Sequence, residues 1–261
     1  MKPHFVTRFV GAVTIALIVT ALPGRADLGL DIVPAKYEMQ AEAGKSETVP
    51  ITVRNTSEAA VHVLVSLNDY EVGANGTLRF LDAGKGRYSL AKWAEVSPRE
   101  FDIPSNSFVQ VRMTVDVPAT ASGEYSTLVF FQTRPTRKAG GVAFSERIAS
   151  KVYEVVPTSI RVGGEVEDVE AKTIAAGQQY LVGFKNTGNV HVYLNGRIEV
   201  KQNGEIVDRV TVPAHTLVER NGVCILDVTG KKLPPGSYSA TAYVDYGGPN
   251  LTGGQAHFTV R

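Results

Sequence analysis

"NTSEAAVHV" at residues 55–63 and "NTGNVHV" at residues 186–192 are two versions of one short pattern, and they decide how the chain is divided. Each contains Asn-Thr, a short polar gap and Val-His-Val. Two interpretations compete: either the two histidines form a shared site, or the chain contains one structural unit twice. The sequence around each pattern distinguishes them.

The segments that surround the two patterns follow the same order. In both halves a strand-like run leads into Asn-Thr, and a second run, an Asn-Gly turn, a third run, a proline and Gly-x-Tyr follow. The Asn-Gly turns are Asn75-Gly76 and Asn203-Gly204, and the Gly-x-Tyr elements are Gly123–Tyr125 and Gly236–Tyr238. Self-similarity in this order indicates two copies of one module.

After residue 27, almost every segment alternates with a period of two, and turn residues interrupt the alternation at short intervals. Segments such as "FVQVRMTVDV" and "YSATAYVDY" are rich in Val, Thr, Tyr and Phe, as β-strands are. About seven short strands in roughly 100 residues are typical of an immunoglobulin-like sandwich. The sequence therefore predicts an all-β protein with two tandem immunoglobulin-like β-sandwich domains.

The predicted domains are residues 27–160 and residues 161–261, with an insertion in the first around residues 70–106. The boundary lies at "VVPTSIRVGGEV", where Pro157 and two glycines interrupt the strands. A linker this short predicts a fairly fixed angle between the modules. The insertion holds the only tryptophan, Trp93, which is expected to close an edge of the core.

Residues 1–26 have the three-part layout of a secretory signal peptide. Lys2 and Arg8 precede an apolar run from Phe9 to Leu22, and helix-breaking and small residues follow it. The run is shorter than the roughly 20 residues that span a bilayer, although an uncleaved anchor is the alternative. No other run approaches spanning length, so the mature protein is expected to have no membrane span and to be periplasmic or extracellular.

The repeated pattern is interpreted as architecture. Asn55 and Asn186 would lie in the turn between the second and third strands, where their side chains can bind loop backbone groups. The valines of Val-His-Val would face inward, so His62 and His191 would face outward in separate modules. No metal site is expected from the pair.

Two further tyrosines have a predicted structural role. Tyr125 and Tyr238 open the penultimate strand of each module, the position of the tyrosine corner in such sandwiches. The hydroxyl of such a tyrosine returns to backbone nearby, so this interpretation needs only local packing.

The sequence contains no pattern that indicates catalysis or a cofactor. The histidines lack metal-ligand spacing, and the only cysteine, Cys224, is expected to be a small core residue. Gly-x-Ser-x-Gly, a phosphate-binding glycine loop and HExxH are absent. Lys plus Arg total 27 against 26 for Asp plus Glu, so no nucleic-acid partner is expected. The chain is predicted to be a non-enzyme that acts by binding protein.

Several segments of the first module resemble the N-terminal domain of periplasmic pilus chaperones of the PapD type. They are "DIVPAKYEMQAEAGKSETVPITVRNTS", "SLAKWAEVSPREFDIPSNSFVQVRMTVDVP", "SGEYSTLVFF" and "RIASKVYEVVP". The resemblance covers about residues 28–157, and the two-domain plan extends it loosely to the C-terminus. The second module looks more like the generic immunoglobulin-like domains of bacterial surface proteins.

The resemblance implies a periplasmic assembly chaperone whose partner is a secreted subunit of a surface fibre. In that family a basic pair in the interdomain cleft grips the subunit's terminal carboxylate. Lys36 is nearest to the first basic position, and Lys151, or less favourably Arg147, is the candidate for the second. The last strand of the first domain lends apolar residues to the subunit. The candidates for that contact are Ile148, Val152 and Tyr153.

The strand "VAFSERIASKVYEVV", residues 142–156, departs from the pattern expected of a donor strand. A donor strand offers apolar residues on one face, whereas here one face is mixed and the other carries mostly small or charged residues. An ordinary capped sheet edge is the rival account. The alternative function is therefore a non-catalytic structural or adhesive protein of the cell envelope. Nothing in the sequence indicates an oligomeric state.

Overall fold

The computed structural model describes residues 29–137 and 143–261, and the predicted signal peptide lies outside these residues. Nearly all the regular structure is β-strand, and the strands form two successive β-sandwiches. The predicted all-β fold of two sandwiches is confirmed. The first sandwich contains the strands from Leu30 to Val156, and the second contains those from Gly164 to Val260.

The first sandwich is built from two main sheets. Its strands are β1 Leu30–Val33, β2 Lys36–Gln40, β3 Ser46–Asn55, β4 Val61–Val72, β5 Leu78–Asp82, β6 Ala94–Ser97, β7 Glu100–Ile103, β8 Phe108–Asp116, β9 Gly123–Thr133, β10 Thr136–Arg137, β11 Ala143–Phe144 and β12 Arg147–Val156. One sheet has the order β1-β3-β8-β6, and the other has the order β2-β12-β9-β4-β5, with β7 also paired to β4. The strands β10 and β11 form a small hairpin.

The chain changes sheets between its first two strands. β1 pairs antiparallel with β3, whereas β2 pairs parallel with β12 in the opposite sheet. β2 accompanies β12 only from Lys151 to Val155, while β9 accompanies it from Arg147 to Val156. Among the described residues, the first part of β12 therefore has a neighbouring strand on one side only.

The second sandwich is simpler and has no insertion. Its strands are β13 Gly164–Ile174, β14 Gly177–Asn186, β15 Val192–Gln202, β16 Glu205–Val218, β17 Val223–Gly230, β18 Gly236–Asp245 and β19 Thr252–Val260. The sheets have the orders β13-β14-β17 and β16-β15-β18-β19.

Each sandwich has its own hydrophobic core, made by the inward residues of alternating strands. Fully buried side chains include Ile51 and Phe131 in the first core and Tyr180 and Leu194 in the second. Burying an aliphatic or phenylalanine side chain such as Ile51, Phe131 or Leu194 stabilises the fold by about 1.5–3 kcal/mol. Cys224 is half-buried against the second core, and burial raises the pKa of its thiol.

The two Asn-Thr turns have the same hydrogen bonds in both modules. Asn55 and Asn186 are completely buried. In each, Nδ2 donates to the carbonyl oxygen four residues later at 2.8 Å, and Oδ1 accepts from the N–H two residues later. Asn186 Nδ2 also donates to the carbonyl oxygen of Glu219 at 3.0 Å. The repeated motif thus closes the same loop in each sandwich.

The two Gly-x-Tyr tyrosines behave differently. The hydroxyl of Tyr238 donates to the carbonyl oxygen of Pro234 at 2.7 Å, which is a tyrosine corner. Tyr125 makes no such bond within the described residues. Its ring instead packs on Trp93, with the ring centroids 4.1 Å apart. At Tyr125, this contact with Trp93 takes the place of the predicted tyrosine corner. Trp93 comes from the insertion and packs against the ring at the edge of the first core.

Candidate interdomain site

Hydrogen bonds join the two modules directly, and two of them link main chain to main chain. The N–H of Glu124 donates to the carbonyl oxygen of Asn189 at 2.9 Å. The N–H of Ile225, on β17, donates to the carbonyl oxygen of Ala74, in the β4–β5 turn, at 2.8 Å. The outer face of the β9–β12 sheet therefore packs against the second module, and this face is the candidate site.

Glu219 of the second module is bound by three side chains of the first. Lys151 Nζ forms an ion pair with Glu219 Oε1. The hydroxyls of Tyr153 and Tyr70 donate to the same carboxylate at 3.1 and 3.2 Å. Burial raises the pKa of both phenols, so both remain hydrogen-bond donors. Only 17% of the Glu219 side chain is exposed, so this is a partly desolvated carboxylate site.

Lys36 also has an acidic partner within the chain. Its Nζ lies 2.7 Å from Glu38 Oε1 and contacts the hydroxyl of Tyr193 in the second module. The hydrogen bond with Glu38 raises the pKa of Lys36 and lowers that of Glu38. Lys36 is the register partner of Lys151 in the parallel β2–β12 pair. The structure brings the two predicted lysines side by side, but each is already paired within the chain.

His191 is not the solvent-facing residue that the Val-His-Val pattern predicts. Its side chain is 9% exposed, and Nδ1 pairs with the buried carboxylate of Glu124 in the first module. Its ring packs against that of Tyr153 at a centroid distance of 4.5 Å, with the two ring planes tilted by 37°. The residue does point out of its own sandwich, but the other module covers that side. His62 lies on the outside of the first sandwich beside two acidic residues of β7, so the two histidines do not meet.

Arg220 is a second interdomain contact that sequence reasoning missed. Its guanidinium lies 3.8 Å from the ring centroid of Tyr88, which belongs to the insertion. Nη1 donates to the carbonyl oxygens of Ser122 and Glu124 at 3.1 and 2.6 Å. A cavity of about 290 Å³ lies beside this arginine. Residues of both modules line the cavity, and Glu219 is one of them. In the sequence, the only indication of this contact was the acid–base pair Glu219-Arg220, which directly precedes the turn Asn221-Gly222.

The three residues of β12 that are predicted to contact a partner, Ile148, Val152 and Tyr153, do not all lie on one face of the strand. Val152 is fully buried in the first core, and Ile148 packs against that core. Tyr153 faces the opposite side but is fully buried at the contact with the second module. One face of β12 thus packs in its own core, and the second module covers part of the other, while the assignment of these residues to a partner contact stays a prediction.

Arg147, the less favoured basic candidate, is the available cation on this face. Its guanidinium lies 3.6 Å from the ring centroid of Phe130, and Nη2 donates to Asn68 Oδ1 at 3.1 Å. Within the part of the chain that the structure describes, no carboxylate pairs with it. Phe80 packs edge-to-face on Phe130 and is half exposed. The open part of the face thus combines a cation with aromatic surface.

Residues 29–137 and 143–261 contain no cluster of three or more His, Cys, Asp or Glu side chains arranged to hold a metal ion. In the same ranges no helix is both long and apolar enough to cross a membrane.

Comparison with known proteins finds similarity in structure only. No family model matches the chain, and no curated protein matches its sequence. The class 5 fimbriae chaperone CfaA is 14% identical, with 88% of this chain and 98% of that chain covered and a TM-score of 0.50. A chaperone–tip adhesin complex of CFA/I fimbriae biogenesis gives 13% identity, the same coverage and a TM-score of 0.50. The predicted resemblance is therefore confirmed as a fold: both modules together have the architecture of pilus chaperones.

Proposed function

We propose that the protein is an exported, periplasmic assembly chaperone that binds a subunit of a surface fibre and performs no catalysis. The pilus-chaperone fold across most of the chain supports this proposal, and one similar structure is that of a chaperone–tip adhesin complex. The observation that carries the proposal is the unpaired edge at the start of β12.

The direction of the backbone groups defines this edge. The N–H of Lys151 donates to the carbonyl oxygen of Ala35, and the carbonyl oxygen of Val155 accepts from the N–H of Ala41. Because Ala35 and Ala41 flank β2, the backbone groups of the odd-numbered residues of β12 point towards β2. Because backbone direction alternates along a strand, the groups of Arg147 and Ala149 point to the same side. β2 does not extend there, and no other described strand pairs on that side. An extended segment of a partner would pair with this edge by β-strand addition.

The side chains near the edge indicate how a partner would be held. Arg147 is free to bind a carboxylate, whereas Lys36 and Lys151 are paired within the chain. Apolar contact would come from neighbouring strands, through Phe80 and Leu64, which are partly exposed on the same face. This distribution differs from the family's use of the donor strand itself and follows from the small and charged residues on β12.

A structural or adhesive envelope protein is the second candidate, and the contact between the modules is compatible with it. Main-chain hydrogen bonds and several side-chain contacts fix the modules to each other. Such a rigid pair suits a spacer as well as it suits a chaperone.

Substitution of Ala149 tests the proposal. Ala149→Pro removes an N–H from the unpaired edge and leaves the hydrogen bonds with β9 intact, whereas Ala149→Val keeps the N–H and serves as the matched control. Both variants would be purified from the periplasm of the host, and the amount of co-purifying subunit would be compared with wild type at equal yield of folded protein. Loss of the subunit with Pro but not with Val is expected. Equal recovery with both variants would refute pairing at this edge.

A further inference from the structure

We infer that His191 and Glu124 form a pH-dependent link between the two modules. The link holds the second module on the outer face of β9 and β12 while the ring of His191 is protonated, and it weakens when that proton is lost. It is independent of the proposed function, because its state can be observed in the protein without any partner.

The ring of His191 lies between two carboxylates of the first module. Its Nδ1 pairs with Oε2 of Glu124 on β9, and its Nε2 lies 3.5 Å from Oε1 of Glu38 on β2. A neutral imidazole carries one N–H group, whereas an imidazolium carries two. Only the protonated ring can donate to both carboxylates, so this geometry favours the charged form of His191.

The burial of Glu124 makes the proton on His191 matter. Only 2% of the Glu124 side chain is exposed, and its Oε1 also accepts from the main-chain N–H of His191 at 3.2 Å. Arg220 donates to the main-chain carbonyl oxygen of Glu124, but no cation other than His191 pairs with its carboxylate in the part of the chain that the structure describes. A buried charge that loses its partner is costly. Loss of the proton therefore weakens the contact between the modules more than it would weaken a surface ion pair.

The other titratable side chains around this link keep their charge where histidine changes its own. They come from β2, β4, β12 and β15, and they are Lys36, Glu38, Tyr70, Tyr153 and Tyr193. The hydrogen bond between the lysine and the glutamate raises the pKa of Lys36 and lowers that of Glu38. Burial raises the pKa of all three tyrosines. Histidine ordinarily changes charge between about pH 5 and about pH 8, so His191 is the group of this set that responds in that range.

Two further charged groups lie just beyond the tyrosines. Lys151 and Glu219 pair with each other beside Tyr153. His215, on β16, packs on Tyr193 at a centroid distance of 6.5 Å and is exposed. His215 is thus the nearby histidine whose titration the experiment has to separate from that of His191.

Amide hydrogen exchange in the full chain tests the link. The N–H of Glu124 donates to Asn189 and the N–H of Ile225 donates to Ala74, so both amides report on separation of the modules. Their protection, corrected for the intrinsic effect of pH on exchange, would be compared at about pH 6 and about pH 8. The amides of the β9–β12 ladder serve as the reference, because a change in overall stability affects them too. We expect the protection of the two reporters to fall relative to this ladder by about tenfold or more at the higher pH.

Two matched variants assign the effect to one residue. His191→Asn keeps an amide donor near Glu124 but cannot be protonated, so its reporters should be less protected at the lower pH and should no longer respond to pH. His215→Asn should keep the pH dependence of wild type, and it introduces no strain, because asparagine tolerates the φ of 61° at this position. Equal relative protection at both pH values in wild type would overturn the inference, whether or not the variants fold. A pH dependence that persists in folded His191→Asn would overturn it as well.

Discussion

Glu154, in the core of the first sandwich, should make the stability of the protein depend on pH. The residue is fully buried, and both of its carboxylate oxygens lack a hydrogen-bond partner within the described residues. Burial, and then the nearby charge of Glu47, raise the pKa of Glu154 from 4.5 to about 7. Between pH 4.5 and about 7, Glu154 therefore stays protonated in the folded protein, whereas it is ionised in the unfolded chain.

The sign and size of the effect follow from this pKa. Below pH 4.5 the carboxyl is protonated in both states, so Glu154 has no pH-dependent effect. As the pH rises to about 7, unfolding releases the proton and stability falls, and above that pH the loss is complete. Since one pKa unit corresponds to about 1.4 kcal/mol, the full loss is at most about 3 kcal/mol, of which about 2 kcal/mol falls between about pH 5 and about pH 8.

Urea denaturation of wild type and Glu154→Gln at these two pH values measures the effect. The variant cannot ionise, so its stability relative to wild type should increase by about 2 kcal/mol from the lower to the higher pH. Glu58→Gln, which alters an exposed carboxylate, is the matched control. A difference between wild type and Glu154→Gln that is the same at both pH values would refute the assignment of a protonated, buried Glu154.

Three further substitutions and one labelling experiment test the packing. Asn186→Ala should lower the free energy of unfolding by about 2–3 kcal/mol, because three carbonyl groups lose their donor and two of those hydrogen bonds are buried, as urea denaturation would show. Tyr238→Phe should lower the free energy of unfolding by about 1 kcal/mol and Tyr125→Phe by clearly less, since only the hydroxyl of Tyr238 donates to backbone. Equal losses in thermal or urea denaturation would contradict this difference between the two tyrosines. Cys224, whose pKa is raised by burial, should react slowly with iodoacetamide in the native protein and quickly in urea.

The fold was predictable because its signals are local. The alternation of apolar residues, the Asn-Gly turns and the repeated Asn-Thr motif each report on a few neighbouring residues, and together they specify strands, turns and a duplicated module. Asn55 and Asn186 illustrate this, since each amide binds groups two and four residues away along the chain. Tyr125 shows the limit, because its packing partner Trp93 belongs to an insertion that the other module lacks.

The candidate site was only partly predictable, because most of its partners come from the other module. Resemblance pointed to Lys36 and Lys151, which the structure brings together in one β-ladder. No pattern in the sequence connects Lys151 with Glu219, 68 residues later, or His191 with Glu124, 67 residues earlier. Those pairs depend on how the two folded sandwiches pack against each other. The alternation of apolar and polar residues along a strand likewise distinguishes inward from outward residues, but it does not show which outward face another module will cover.

Native mass spectrometry of the wild-type protein, isolated from the periplasm of its host, tests directly whether the protein is a chaperone of a fibre subunit. We expect a stoichiometric complex with one small secreted β-protein, and its loss when Ala149 is replaced by proline. A lone monomer or a homo-oligomer under the same conditions would contradict the chaperone function and favour a structural role in the cell envelope.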